Sequence, residues 1–560
     1  VVAALHAGRK SILNYSFPVS AGKGEEMQLV FYGADKVVTG SCHCLEACGK
    51  KILVDCGLYE GEGAGDEENR KLPFCPSQID YVLVTHAHID HSGRLPLLVK
   101  NGFEGKIYAT GATCDLLSIM LRDSAHIQMM DADAANRKGR RAGKEIREPL
   151  YTIEDAEAVS GHLVPCQYGE TVQLCEGIKF RMVDAGHLLG SASIEIWITE
   201  NGETKKIVFS GDIGNLNQPI IRDPQYISEA DYVVMESTYG NREHDPIANY
   251  IPQLAKVFND TFAAGGNVVI PSFAVGRTQE LLYYIREMKA KHIVKSVPDF
   301  PVYVDSPLAS EATKVYSGNL AGYADDDTVR VMKDGFNPLL FTNLHTCESV
   351  EESRALNDDI SPKVIISSSG MCEAGRIRHH LKHNLWRPEC SIVFVGYQAE
   401  GTLGRMLIDG VKKVKLFGEE IAVAAKIYNF KALSGHADRT GLLRWLNAFQ
   451  HKPECVFLVH GEQLTAEEFS EELARRGYHS YVPNFKAVAD LTADKIIDEG
   501  IAPEKLHPVR GAGKGTSAFG RLFSAGQRLL RVIQHNEGCA NKDIARFADQ
   551  IIALCDKWDR

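Results

Sequence analysis

The sequence predicts an α/β protein, and three observations carry that prediction. Short apolar runs rich in Val, Ile and Tyr recur, most of them end in Gly, Ser, Asp or His, and the segments between them have helical periodicity. The runs, in order, are ILVDCG, YVLVTH, IVFSGD, YVVMES, NVVIPS, PVYVDS, VIISSSG, SIVFVG and CVFLVHG. Runs of this length, bounded by turn formers, suit buried strands, whereas TQELLYYIREMKAK repeats its apolar residues at helical spacing. In this class functional side chains gather on loops that follow strands, because the sheet positions them without burying them.

At 560 residues the chain exceeds a single core, and length alone suggests roughly three to four domains, or fewer if one interrupts another. Hydrophobic residues at 44% and charged residues at 24% match a folded globular protein rather than a disordered or fibrous one. No apolar run approaches the roughly 18 residues of a membrane span, and VVAALHAGRK lacks the organisation of a secretory signal. The 14 cysteines follow no repeating frame, so reduced thiols and a cytoplasmic location are the expectation. A net charge of −11 argues against a broadly basic nucleic-acid coat. It leaves room for one local strip: Arg137, Lys138, Arg140, Arg141, Lys144 and Arg147. Such a run serves equally well as a solvated face.

The densest chemistry lies in VTHAHIDHSG, directly after a strand-like run. His86 and His88 can project to one side, while Asp90 and His91 reach a neighbouring point from the following turn. Imidazole nitrogen and carboxylate oxygen suit zinc or a related divalent ion. So short a segment cannot close around one ion and leave it open for chemistry, so a pair of metals fits better. Further ligand-type residues follow other strand-like runs: His187 in VDAGHLLGSAS, Asp212 in FSGDIGN and His460 in LVHGEQ.

Taken together, in this order, these residues resemble the metallo-β-lactamase superfamily over roughly Gln28 to Phe485. The resemblance implies an αββα sandwich holding metals along one edge of its paired sheets. It also implies a ligand set, with His86, His88 and His187 on one zinc, Asp90, His91 and His460 on the other, and Asp212 bridging both. Manganese is the alternative ion. Asp55 in LVDCG matches the first motif of the superfamily, and its expected role is to orient ligands and water by hydrogen bonds.

About 250 residues separate Asp212 from His460, far more than a closing loop requires. The stretches PSFAVGRTQELLYYI, VYVDSPLASEATKVY, ISSSGMCEAGRIRHHL, FVGYQAEGTLGRML and KALSGHADRTGLL resemble the β-CASP nucleases, including the endonuclease subunit of the eukaryotic pre-mRNA 3′-end cleavage machinery and its bacterial relatives. That resemblance implies an inserted Rossmann-like domain. The expected layout is an extension over 1–26, sandwich over 27–240, inserted domain over 241–434, sandwich again over 435–498, and a helical extension over 499–560. Three signature positions fall on Glu236 in MESTYG, His436 in LSGHAD and His460, and histidine at the third resembles the RNA-processing members.

Hydrolysing a phosphodiester near neutral pH requires an ionised water, shielding of developing charge, and a proton for the leaving oxygen. A metal pair covers the first two. Asp90 joins Glu236 and His436 in the expected catalytic set, with His436 as general acid and Glu236 fixing its tautomer and favouring its protonated form. The turns AVGRTQE and SSGMCEAGR suggest an anion cradle of Arg277, Ser369, Gly370 and Arg376. The expected activity is a zinc-dependent endoribonuclease acting on single-stranded RNA, leaving a 5′-phosphate and a 3′-hydroxyl by family resemblance. DNA cleavage or 5′-exonuclease action is the nearest rival. A small-molecule hydrolase would need neither Glu236, His436 nor an insertion, and a non-catalytic scaffold would not need every ligand candidate. At the far end, GAGKGTSAFGRLF lacks the spacing of a nucleotide-binding loop and suits a linker. Ile544, Phe547, Ile551 and Cys555 then recur at helical spacing, a stripe that packs on its own domain or joins two copies in a homodimer.

Overall fold

The computed structural model describes residues 27–60, 66–140, 143, 145–244, 250–396, 398, 401–430, 434–502, 529 and 541–558. The expected N-terminal extension, the GAGKGTSAFGRLF linker, Arg141 and Lys144 lie outside the described residues. All nine runs singled out above contain strands.

Two mixed sheets form the body of the chain. The first has eight strands in the order Lys495–Asp498, Val488–Asp490, Gln28–Phe31, His43–Ala47, Lys50–Val54, Tyr81–Leu83, Lys106–Thr110 and Leu163–Cys166. The second has seven, in the order Ser480–Tyr481, Cys455–Val459, Tyr232–Glu236, Glu203–Phe209, Ala192–Glu200, Ile178–Asp184 and Thr171–Cys175. Their facing sides meet in one buried core. The period-two rule of strands sorts the residues: Ile52 and Val54 point between the sheets with Phe209 and Val234, while Leu53 points outward. On the outer face of the first sheet Leu53 packs with Leu116 and Leu117 of the helix Gly111–Arg140. Val208 and Val233 on the outer face of the second pack with Trp445 and Phe469 of the helices Arg439–Leu446 and Gln463–Arg475. The result is helix, sheet, sheet, helix, the αββα sandwich anticipated from the sequence.

A third sheet of six parallel strands draws only on the chain between Val268 and Asn429. Its order is Leu344–Thr346, Val302–Val304, Val364–Ser367, Val268–Pro271, Ser391–Phe394 and Lys426–Asn429. Parallel strands need crossover connections, and helices supply them on both faces, so these strands read as continuous apolar runs. Contacts tie this insertion to the sandwich. The Asp325 N–H donates to the Ile220 carbonyl at 2.9 Å, and the Arg122 and Glu311 side chains pair at 2.8 Å. A Cβ placed on Gly276 would stand 3.1 Å from Leu188 Cδ1, which brings the turn after Val268–Pro271 against the loop that carries His187.

Arg137, Lys138 and Arg140 are exposed in the last turn of the helix Gly111–Arg140, where positive charge suits the helix dipole. A separate compact unit begins at Ile501, and within it Asn541–Trp558 is helical, with Phe547 and Ile551 half-buried. Among the described residues no helix is long and apolar enough to cross a membrane.

Candidate metal centre

The sequence-predicted ligands lie beyond strand ends along one edge of the paired sheets, Asp90 and His91 on the short helix Ile89–Ser92. Asp55 follows Lys50–Val54 with a left-handed φ of 63°, a conformation acidic residues tolerate better than most. Its carboxylate accepts the Thr85 N–H at 2.8 Å and the Thr85 hydroxyl at 2.9 Å, and lies 2.7 Å from His91 Nδ1. Held this way, His91 turns Nε2 toward Asp212 Oδ1 at 3.2 Å. Both atoms are buried and neither has a hydrogen-bond partner.

Around this pair the predicted residues gather into two groups. In the first, His86 Nε2 is 3.1 Å from His88 Nδ1, which is 3.2 Å from His187 Nε2. Asp212 Oδ2 lies 3.4 Å from His86 Nε2 and 3.5 Å from His187 Nε2. In the second, His460 Nε2 is 3.4 Å from Asp90 Oδ2 and 3.7 Å from Asp212 Oδ1, with His91 alongside. Tetrahedral ligands at about 2.05 Å from one ion stand roughly 3.3 Å apart. The observed separations match that spacing, and imidazole with carboxylate is the donor chemistry zinc takes. The donor set therefore fits divalent metal ions.

Electrostatics agrees. Burial disfavours the charged form of His86, His88 and His187 and lowers all three, His88 to about 3, so they present the neutral rings that bind metals. Burial also works against the Asp90 carboxylate, yet His460 and His91 beside it hold it below the usual carboxylate range. For His91, burial is outweighed by Asp212 and Asp55, which raise it; a proton and a divalent ion compete for the same nitrogen.

His436 closes the group from the segment after the insertion. Its Nδ1 lies 3.2 Å from Glu236 Oε2, and its Nε2 is 3.9 Å from Asp212 Oδ2. Glu236, the last residue of its strand, is fixed by the Ile213 N–H at 2.6 Å. Burial opposes the imidazolium, but Glu236 and then Asp212 outweigh it and push His436 up to about 10. The ring remains one-fifth exposed.

The expected anion cradle is arranged differently. Arg277 pairs with Glu280 on its own helix. Arg376 pairs with Asp305 at 2.7 Å and donates to the Cys347 and Glu348 carbonyls at 3.0 Å each. Both guanidiniums have partners within the inserted domain. Ser369 and Gly370 follow the strand Val364–Ser367, with Gly370 beside Phe273.

Sequence reading missed a supporting layer. Besides Thr85, the Thr238 hydroxyl lies 3.0 Å from His460 Nδ1, and His244 Nε2 lies 3.0 Å from the His436 carbonyl oxygen. Thr85 and Thr238 adjoin the HxHxDH stretch and Glu236, which was the available signal. Removing such a partner typically weakens metal affinity about 10–100-fold. Asp55→Asn is accordingly expected to fall in that range in a competition titration against a chelator, with the fold retained by circular dichroism.

An αββα sandwich with imidazoles and carboxylates converging at one edge defines a metallo-hydrolase scaffold. Residues 35–237 match the metallo-β-lactamase superfamily, 278–407 the Beta-Casp domain, and 420–483 the Zn-dependent metallo-hydrolase RNA specificity domain. A ribonuclease of Thermus thermophilus is 38% identical over 82% of this chain and 99% of its own. Transcription termination factor FttA of Methanocaldococcus jannaschii is 30% identical over 82% of this chain and 70% of its own. FttA of Methanosarcina mazei is 30% identical over 85% and 72%. The chain belongs to the β-CASP family of the metallo-β-lactamase superfamily.

Proposed function

We propose that the protein is a zinc-dependent endoribonuclease that hydrolyses single-stranded RNA and leaves a 5′-phosphate and a 3′-hydroxyl. The observation that carries this reading is the position of Asp212 between two donor groups, its Oδ2 3.4 Å from His86 and its Oδ1 3.2 Å from His91, with the His436–Glu236 pair immediately beside them. The chemistry that two divalent cations would supply there is ionised water at neutral pH and shielding of the charge that develops on the phosphate. Everything else falls to the chain. His86, His88 and His187 would hold one ion and Asp90, His91 and His460 the other, with Asp212 placed to serve both, while Asp55 orients His91. His436 delivers a proton from Nε2 to the leaving oxygen, and Glu236 keeps its Nδ1 protonated and its ring in place. Arg277, Arg376, Ser369 and Gly370 would hold phosphates flanking the cleaved one, which requires each arginine to share its present carboxylate partner.

The choice of RNA is supported by the relative named as a ribonuclease, by the matched RNA specificity domain, and by histidine at position 460. The domain layout given above stands as part of the proposal, with the insertion and the sandwich forming opposite walls of a cleft that admits an unpaired strand. Self-association through the C-terminal helix is a separate proposal, read by sedimentation with and without residues after Ala512.

The test uses internally and end-labelled RNA and DNA of one sequence, incubated with purified protein before and after chelation and after zinc or manganese is restored. Internal cuts in RNA, abolished by the chelator and restored by metal, are expected. Cleavage confined to 5′-terminal nucleotides supports the exonuclease rival, preference for DNA supports the DNA rival, and turnover unaffected by chelation rejects the metal-dependent mechanism.

A further inference from the structure

The six-stranded sheet has a topological switch point, and an exposed aromatic ring stands beside it. From Val268–Pro271 the chain crosses over its neighbour Val364–Ser367 to reach Val302–Val304, by way of the helix Arg277–Ala290. From Val364–Ser367 it crosses the other way, over Val268–Pro271, to Ser391–Phe394 by way of the helix Ile377–Asn384. The two helices pack on opposite faces, Leu281 and Ile285 with Val268 and Ile270, Ile377 and Leu381 with Val269. Neighbouring strands that send the chain to opposite faces leave a crevice at their carboxyl ends, where open parallel sheets bind ligands.

Phe273 lies on one lip of that crevice. Its backbone is fixed: the Thr278 hydroxyl donates to the Phe273 carbonyl at 2.6 Å, and the preceding Ser272 N–H donates to the Ser367 carbonyl at 3.0 Å. Its side chain is not packed away, since the residue is 48% exposed. Gly370 occupies the other lip. A Cβ on Gly370 would stand 3.2 Å from Phe273 Cδ2 and Cε2, so the glycine leaves the ring room that a side chain would crowd. The Gln398 amide holds Gly370 from behind by donating to its carbonyl at 3.0 Å. Three residues after Phe273, Gly276 abuts Leu188, the neighbour of His187, so the turn that carries the ring touches the loop that carries His187.

An aromatic ring on a fixed backbone, left open at the crevice beside a phosphodiesterase centre, has the chemistry of a stacking platform. Every nucleobase has an apolar face, and aromatic residues in single-strand channels use it irrespective of sequence. We propose that Phe273 stacks against one nucleobase of the RNA, on a nucleotide flanking the cleaved phosphate. This inference rests on the RNA substrate assigned above.

The test scans single abasic nucleotides along a labelled oligoribonucleotide and compares wild type, Phe273→Ala, Phe273→Leu and Phe273→Trp under single-turnover conditions, with metal content measured for each. Alanine substitution at base-stacking aromatics costs roughly five- to hundred-fold. F273A is expected to lose kcat/KM by that factor on intact RNA, and one abasic position is expected to cost wild type the same factor. Combining the two should cost no more than either alone, because both remove one contact. F273W should retain the rate and F273L should not. Full activity of F273A, full activity of F273L, or losses that multiply at every abasic position would each overturn stacking while leaving the ribonuclease assignment intact. A metal-loaded wild type that leaves RNA uncut overturns that assignment and this subsite with it.

Discussion

Asp212→Ala is expected to abolish cleavage, with a loss upward of about 10³-fold, because one carboxylate oxygen faces His86 and His187, the other faces His91 and His460, and the cations it would hold contribute several kcal/mol. The variant should also retain less than the full metal complement after dialysis, read by elemental analysis. His88→Ala offers a graded comparison, since His88 stands with His86, His187 and Asp212 and not in the group of Asp90, His91 and His460. Loss of one ion in H88A against loss at both positions in D212A is the expected pattern. Metal content unchanged in D212A would show that Asp212 does not join the two groups.

His436→Ala tests the proton-delivery role separately. General acid catalysis contributes about 10²–10⁴-fold, so kcat should fall by that factor while both ions stay bound. Glu236→Gln removes the carboxylate that, after the opposing effect of burial, does most to raise His436. The sign follows directly: without that charge the ring loses its proton at lower pH, so the alkaline limit of the rate profile should move down in E236Q. An RNA carrying a 5′-thiolate leaving group at the cleavage position needs no proton, and it should be cut by H436A nearly as fast as by wild type. An equal defect on the thiolate substrate would remove the acid role and leave His436 a structural one.

Much of this was legible in the sequence because the chemistry is concentrated at strand ends. Parallel strands buried on both faces read as unbroken apolar runs, which is why Val364–Ser367 and Ser391–Phe394 stand out. His86, His88, Asp90 and His91 were visible because four donors in six residues have no common structural reason. Antiparallel strands with one solvated face are harder to see: in Ile178–Asp184 exposed Lys179 alternates with buried Ile178 and Phe180, and no apolar run survives. Thr85, Thr238 and His244 act through hydrogen bonds to partners distant in sequence or to a carbonyl, and a lone threonine or histidine carries no periodicity. The arginines show the opposite difficulty. Arg277 and Arg376 are plain in the sequence but their present partners are not: Glu280 lies one helical turn from the first, and Asp305 meets the second only through the tertiary fold.

His460 follows the strand Cys455–Val459, and its N–H donates to the Ala34 carbonyl at 2.8 Å, so a late segment of the sandwich joins the donors that come early in the chain. During synthesis on a ribosome the polypeptide lengthens from the N-terminus, and His86 through Asp212 emerge long before His460 is made. A growing chain thus carries an unfinished cluster while it is still tethered beside its own messenger. If the proposed ligand set holds, the donor cluster is complete only after nearly all of the sandwich has been translated.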